Sequence, residues 1–495
     1  MDERHLVAID IGTSKIALTV AKVEGENVQI IYYRETPSAG IKYSRVINPH
    51  KAAGAIRQAV TTAEKELGIS ITDIIVGLPK YEVTQDPATL TVTRDADTCI
   101  TQEEITGIKE NALEKYPGIN KETEMLFGIV AQSFGDEDEI QISENDIIGM
   151  APEKLNCEFR VFKGQRKNVR DLRLAFRNAG NIHICREYFT PEAIAKAVLY
   201  DFEMENGVAL IDLGAGVTSV TIYYDNIMRY YSAIPFGGNA ITSDIRTECY
   251  ITEKMAESIK LAYGACIPEK LLSLSDKTLL ISSNDSLPAK QVTVKYLSEI
   301  ITARETEIIE AILYRIQESG LADRLRSGIV ITGGGANLLN VGSLIKDISG
   351  YAVRTGYARH IFSGADDTLD DTSVTASLGM ILMAKNDRID CLPERDGVQE
   401  SAADDAGKAQ TGQKASDPQQ REESRNTSGP SVDDRDGRLF IDDPDMIITP
   451  KKRQQAHQTE KPHRSEDFHW TIGSLFRRAS DTVKTTVKKI NEEDL

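Results

Sequence analysis

The stretch Val7-Ala8-Ile9-Asp10-Ile11-Gly12-Thr13-Ser14-Lys15-Ile16 decides the fold, because a second stretch about 200 residues later repeats its order: Leu210-Ile211-Asp212-Leu213-Gly214-Ala215-Gly216-Val217-Thr218-Ser219. Each runs from an apolar strand into Asp, an apolar residue, Gly, a small or polar turn and a β-branched returning strand. A single D-x-G turn is common in plain β-hairpins. Two copies, each behind a strand, point to a hairpin built to grip phosphate. Glycine lets the backbone turn tightly, so successive N–H groups and hydroxyls face phosphate oxygens. An Asp at a strand end suits a magnesium ion, held mostly through water because that ion keeps much of its hydration shell. Lys15 adds a point charge for the outer phosphates.

A third segment, Ile329-Val330-Ile331-Thr332-Gly333-Gly334-Gly335-Ala336-Asn337, is an apolar strand ending in three glycines before a helical stretch. Such a turn lets a base and α-phosphate lie against bare backbone. Alone, it would equally serve as a tight strand-to-helix corner.

Around these motifs, residues 1 to about 385 alternate strand-like runs with amphipathic helical patterns, as an α/β architecture does. With 495 residues the chain is long enough for more than one domain, and no repeat of 20 to 50 residues is visible. A content of 40% hydrophobic and 27% charged residues is ordinary for a globular protein. The formal net charge of -18 argues against general nucleic-acid binding, so no nucleic acid is expected as a partner. Six scattered cysteines, with no CxxC pair, fit a reducing cytosol and no zinc site. The first strand starts almost at Met1, which leaves no room for a signal peptide, and no run reaches the ~18 apolar residues of a membrane span.

Residues 388–467 are poor in aliphatics and read as a disordered linker whose root-mean-square span is on the order of 50 Å. Inside it, Leu439-Phe440-Ile441 and Met446-Ile447-Ile448 form an apolar island: a docking motif or chance. The last stretch, 468–495, regains helical periodicity. Ile472, Leu475, Phe476, Ala479, Val483, Val487 and Ile490 fall within about 120° of a helical wheel, with Arg477, Arg478, Lys484, Lys488 and Lys489 on the opposite or flanking faces. Phe468 and Trp470 precede it, and aromatic rings prefer the headgroup level. This is the pattern of a helix lying in an anionic bilayer interface. A short coiled coil or a helix docked on the body would share the periodicity, but three heptads are few and docking needs no long leash.

Taken in order, the two hairpins and the glycine turn resemble the phosphate 1, phosphate 2 and adenosine motifs of the actin-like ATPase superfamily, whose ribonuclease H-like two-domain fold holds a nucleotide in a cleft. The resemblance implies ATP and Mg2+ as cofactors. It sets Asp10 and Asp212 across the metal and the attacking water. Gly12, Thr13, Ser14 and Lys15 would hold one side of the phosphates; Gly214, Gly216 and Thr218 would hold the other. The turn Gly333, Gly334, Gly335 and Asn337 would carry the adenosine. Pro191 to Leu199 and Thr372 to Ala384 match the connecting hinge helices.

Further residues narrow the branch. Ile234-Pro235-Phe236-Gly237-Gly238-Asn239-Ala240-Ile241-Thr242, then Ala256-Glu257-Ser258-Ile259-Lys260 and Tyr263-Gly264, resemble the FtsA family's IPxGGNxIT and AExxKxxYG runs. By that resemblance Gly238, Asn239, Glu257 and Lys260 contact the nucleotide, Glu257 and Lys260 sharing one helix face. The family's layout implies subdomain 1A at 1–84, 183–205 and 359–387, subdomain 1C at 85–182, 2A at 206–235 and 304–358, and 2B at 236–303. It implies a cell division protein at the cytoplasmic side of the bacterial inner membrane, polymerising with itself in actin-like protofilaments. It would bind the C-terminal peptide of FtsZ near Lys295 and Arg304, meet other division proteins and reach anionic lipids through the tail. One departure bears on hydrolysis: Lys196 stands where actins carry a water-orienting glutamine. A charged lysine accepts no proton, so Glu192 is the substitute and turnover should be slow. An actin-fold small-molecule kinase and a PilM-like pilus assembly protein stay open as alternatives.

Overall fold

The computed structural model describes residues 3–95, 97–136, 141–180, 182–282, 290–359, 361–364 and 371–392, together with strand backbone at 432–433, 438–440 and 447–451. The amphipathic tail at 468–495 and most of the linker lie outside the described residues.

Both Asp-Gly stretches are hairpins. In the first, Glu3–Ile11 pairs antiparallel with Lys15–Glu24, and Gly12 N–H donates to the Lys15 carbonyl at 2.9 Å. In the second, Val208–Leu213 pairs with Thr218–Tyr224, and Gly214 N–H donates to the Val217 carbonyl at 3.1 Å. The same loop closure thus occurs twice, because both sequences place a glycine directly after the strand.

Each hairpin grows into a sheet of its own, and the two sheets have the same strand order. The first sheet runs Asn27–Pro37, Lys15–Glu24, Glu3–Ile11, Asp73–Gly77, His183–Tyr188, with a short sixth strand Phe362–Ser363 beside Asn27–Pro37. The second runs Ile227–Ile234, Thr218–Tyr224, Val208–Leu213, Ile329–Thr332, Val353–Thr355. In both, a three-strand antiparallel meander is followed by two strands parallel to its first member. The chain is therefore two lobes of one topology, although their sequences share little beyond the hairpins.

Two helices stand between the sheets, Thr190–Val198 and Thr375–Asn386. Ile194 and Val198 of the first pack with Leu210 and Val330 of the second sheet, whereas Leu378 and Ile381 of the other pack with Ile9 and Ile75 of the first. The helices cross at Gly379, where an added Cβ would lie 1.9 Å from the Ala193 carbonyl oxygen. Only a residue without a side chain permits that approach.

An inserted unit precedes the first of these helices. Its sheet has the order Thr84–Thr93, Lys154–Gln165, Glu124–Gly135, Gln141–Ile142, with helix Gln102–Glu114 beside it. Phe134, Leu155 and Phe159 fill its own core. Its contact with the second lobe is partly polar: Arg229 donates to the Gln132 carbonyl at 3.0 Å, and Tyr231 N–H donates to Gln85 at 3.0 Å. A small unit on the second lobe comprises helices Gly238–Cys249 and Glu253–Tyr263 and strands Thr278–Ser282 and Lys290–Thr293, and helix Val294–Glu318 leads back from it. The apolar island of the linker contributes two strands here: Ile447–Lys451 pairs antiparallel with Thr278–Ser282, and Arg438–Phe440 pairs with Ile447–Lys451.

Candidate nucleotide cleft

Parallel pairing brings the motifs together. Asp10 ends a strand registered beside Asp73–Gly77, whose continuation Leu78-Pro79-Lys80 leaves at the same edge. Asp212 is registered opposite Thr332, so it stands next to the Gly333–Gly335 turn. In α/β sheets a ligand settles at such carboxyl ends of strands. The two ends face one another across a cavity of about 440 Å³.

Asp10, Gly12, Thr13, Ser14 and Lys15 line the cavity from the first lobe; Asp212, Gly214, Gly216, Gly238, Glu257, Lys260, Gly333, Gly334, Gly335 and Asn337 line it from the second. The hairpin tips touch: a Cβ on Gly216 would lie 2.7 Å from Thr13 Oγ1. Lys15 pairs with Glu35. Lys260 lies 2.7 Å from Glu257 and donates to the Gly238 carbonyl at 3.1 Å and to Thr242 Oγ1 at 2.9 Å, so the family-like helix is tied to the glycine pair of the preceding run. Asn337 donates to Asp371 at 2.8 Å and accepts from Thr372 Oγ1 at 3.0 Å, which holds the triglycine turn against the hinge.

Three expected site residues are not brought in. Thr218 is fully buried in its strand with its hydroxyl unpartnered, away from the cavity lining. Asn239 is exposed, and its contact with the second hairpin is its backbone N–H, which donates to the Ala215 carbonyl at 2.8 Å. Glu192 lines a different cavity, together with Lys196 and Tyr223, beside the inserted unit. Glu192 and Lys196 are four residues apart and share one helix face, and that face is turned from the cleft. Glu192 therefore does not replace the missing glutamine at this site. Burial pushes its carboxyl above the usual range, an effect Lys196 only partly offsets.

Lys80, which the motif reading passed over, is the cation at the centre. Its Nζ donates to Asp212 Oδ2 at 2.7 Å, with the side chains 12% and 8% exposed. The bridge joins the lobes, since Lys80 follows a first-lobe strand and Asp212 ends a second-lobe strand. Burial raises the Asp10 carboxyl above its normal range; Lys80 pulls it down and the Asp212 carboxylate pushes it up. Burial alone would lower the Lys80 ammonium, but Asp212 and Asp10 outweigh it and hold it above its ordinary value. No local pattern marks Lys80 in the sequence; only the strand pairing beside Asp10 carries it here. Glu305 was also missed. It lies four residues after Ile301 and three before Ile308, on the buried stripe of its helix, and that position was a readable signal.

The donor chemistry fits a magnesium ion. Two hard carboxylates converge, Asp10 half-buried with its carboxyl raised and Asp212 buried, and such an ion needs few protein oxygens beyond water and phosphate. Among the described residues no group of three or more His, Cys, Asp or Glu gathers, so the pair is the donor set there.

Lys295 and Arg304 do not form one patch. Nine residues apart on helix Val294–Glu318, they lie on opposite faces, about 180° apart at 100° per residue. Lys295 is open, 4.0 Å from Glu299, whereas Arg304 is held bidentate by Asp244 and also meets Glu307.

The family model described as Cell division protein FtsA matches residues 209–379. The cell division protein FtsA of Streptococcus pneumoniae serotype 2 is 30% identical over 353 residues, which covers 71% of this chain and 75% of that protein. The chain belongs to the FtsA family. The FtsA of Neisseria meningitidis serogroup B is 28% identical over 385 residues, covering 77% of this chain and 90% of its own. Among solved structures, a chain of the PilM-PilN type IV pilus biogenesis complex superposes with TM-score 0.54 at 16% identity, covering 76% of this chain and 98% of that one. At that identity the likeness speaks for the fold alone. This FtsA-family chain is a cell division protein with an actin-like fold, and no helix among its described residues is long and apolar enough to cross a membrane.

Proposed function

We propose that the cleft binds ATP with magnesium, and that the ATP-bound chain polymerises head to tail and tethers FtsZ to the cytoplasmic face of the inner membrane at the division site, among other division proteins. One observation carries the nucleotide reading: two glycine-closed hairpins of matching loop closure meet tip to tip, with Asp10, Asp212 and Lys80 between them. That arrangement presents backbone N–H groups and balanced charge to a polyphosphate. The metal would neutralise phosphate charge, held by Asp10 and Asp212 through water. Lys15 and Lys80 would supply the remaining positive charge, and the triglycine turn would admit the nucleoside. Glu192 and Lys196 line another cavity, so neither is the group we assign to orient water, and slow hydrolysis is the outcome we expect.

The small unit is the surface we assign to the FtsZ peptide. It exposes Tyr250, Leu272 and Tyr296, with the Lys290 ammonium 5.4 Å from the Tyr250 ring and Lys295 one residue before Tyr296. An acidic, partly apolar peptide suits such a mixture. Membrane attachment rests on the periodicity of 468–495. Each apolar side chain buried in lipid contributes roughly 1.5 to 3 kcal/mol at most, and each cation near an anionic leaflet about 1 kcal/mol. A single copy should bind reversibly and a polymer by avidity.

The test is flotation of the full chain with vesicles rich in anionic lipid, FtsZ filaments, ATP and magnesium. FtsZ should rise with the vesicles only when the chain is present. Removing 468–495 should abolish flotation while ATP uptake stays intact; unchanged flotation would refute the anchor. Asp212→Ala should weaken ATP uptake by at least ~10-fold, as expected for a charged contact to phosphate and metal.

A further inference from the structure

Glu305 is a buried carboxyl without a partner on the wall of the cleft. It is 3% exposed, its Oε2 accepts no hydrogen bond, and it lines the cavity beside Lys260, Leu261, Gly264 and Leu338. Lys260 is the opposing charge that acts on it, yet that ammonium is committed to Glu257, Gly238 and Thr242. Arg304 points elsewhere, to Asp244. The loop that covers the helix here is lashed down: Ile267 N–H donates to Thr302 Oγ1 at 3.0 Å and Ser298 Oγ donates to the Ala265 carbonyl at 2.8 Å. Glu305 therefore sits under a fixed loop, buried and lining the cavity.

A native buried polar atom left unpaired calls for an explanation. The polyphosphate end of the cavity is marked by Asp10, Asp212, Lys80 and Lys15. The end near Glu305 has apolar walls, Leu261 and Leu338, which suit a flat aromatic ring with a few polar edges.

We propose that Glu305 selects the base, accepting a hydrogen bond from the exocyclic 6-amino group of a purine and excluding purines that carry a 6-oxo group. The inference rests on the nucleotide reading above. A carboxylate facing a carbonyl oxygen leaves two acceptors opposed, and a site built to pair with an N–H rejects the analogue lacking it more strongly than shape alone would. Burial lifts the carboxyl to about 7, so the acceptor-only carboxylate, and with it the preference for the 6-amino group, gains as pH rises through that value.

ATP and inosine triphosphate differ in the 6-substituent and in the proton that the 6-oxo base carries on N1, so equilibrium binding of each to the full chain with magnesium, at pH 8 where the carboxylate form dominates, is the test. The wild type should prefer ATP by ~10-fold or more, the usual scale for a hydrogen bond to a charged group. Glu305→Leu should weaken ATP, leave inosine triphosphate nearly unchanged and bring the ratio to about 2-fold or less, with the melting temperature showing that the variant is folded. Glu305→Gln, whose amide both donates and accepts, should narrow the ratio from the other side by strengthening inosine triphosphate. Equal binding of the two nucleotides by the wild type, or a Leu or Gln variant that keeps the wild-type ratio, overturns the inference alone. A wild type that takes up neither overturns the nucleotide reading together with it.

Discussion

Replacing Lys80 by Met should cost the free protein about 3–5 kcal/mol at pH 8, the usual penalty for removing one partner of a buried ion pair. The side chains fill similar space, so the loss is electrostatic: Asp10 and Asp212 would face each other without the ammonium that now lies 2.7 Å from Asp212. The pH dependence gives the effect its signature. Lys80 is held above its ordinary value, so its contribution is fully present below the unfolded lysine range and constant from pH 5 to 8. Asp10 is already raised by burial and by Asp212, and without Lys80 it rises further. A carboxyl whose folded pKa exceeds its unfolded one keeps a proton in the folded state. Stability then falls as pH rises through that range. The deficit of Lys80→Met should therefore shrink at pH 5 and grow by pH 8, and millimolar magnesium should restore part of it. Urea melts across that range, with and without the metal, measure all of this. A deficit below ~1 kcal/mol that ignores both pH and magnesium would show that the bridge holds nothing together.

The second large effect is expected at the hinge. Gly379→Ala in helix Thr375–Asn386 gains about 1 kcal/mol of helix propensity. Against it stands a methyl group 1.9 Å from the Ala193 oxygen and 2.3 Å from its carbonyl carbon. Backbone atoms cannot rotate aside, so the two helices must separate, and overpacking of this kind costs ~1–3 kcal/mol or more. The steric effect should win, leaving the variant less stable by at least ~1 kcal/mol. Because this helix pair joins the lobes, ATP affinity should fall with stability, although no cleft residue has changed. A Gly379→Ala variant as stable as the wild type would mean that the helices slide freely past one another.

What could be read from the sequence, and what could not, divides by the range of the forces involved. The Asp-Gly hairpins were legible because a glycine-closed turn between apolar strands is set by a hydrogen bond three residues away, from Gly12 to Lys15 and from Gly214 to Val217. Helix Gln102–Glu114 is set by equally local contacts: its Thr101 cap accepts from Glu104 N–H, and its buried stripe has helical spacing. Where a side chain points within the assembled lobes was not. Glu192 looked like a neighbour of the hinge chemistry, yet helix rotation turns it into another cavity. Thr218 belonged to the right hairpin, but it opens a strand that is buried on both faces.

Residues 1 to about 385 and 468–495 declared by themselves an α/β body with two phosphate-type turns and an amphipathic end, since periodicity and turn chemistry act over a few residues. Tertiary structure alone decided that the lobes share one topology, that Lys80 bridges to Asp212 from 132 positions earlier in the chain and that Gly379 sets the helix crossing. Those outcomes depend on which strands lie side by side and which helix faces meet. Contacts between distant segments arise only when the whole chain packs, and no short window of sequence encodes them.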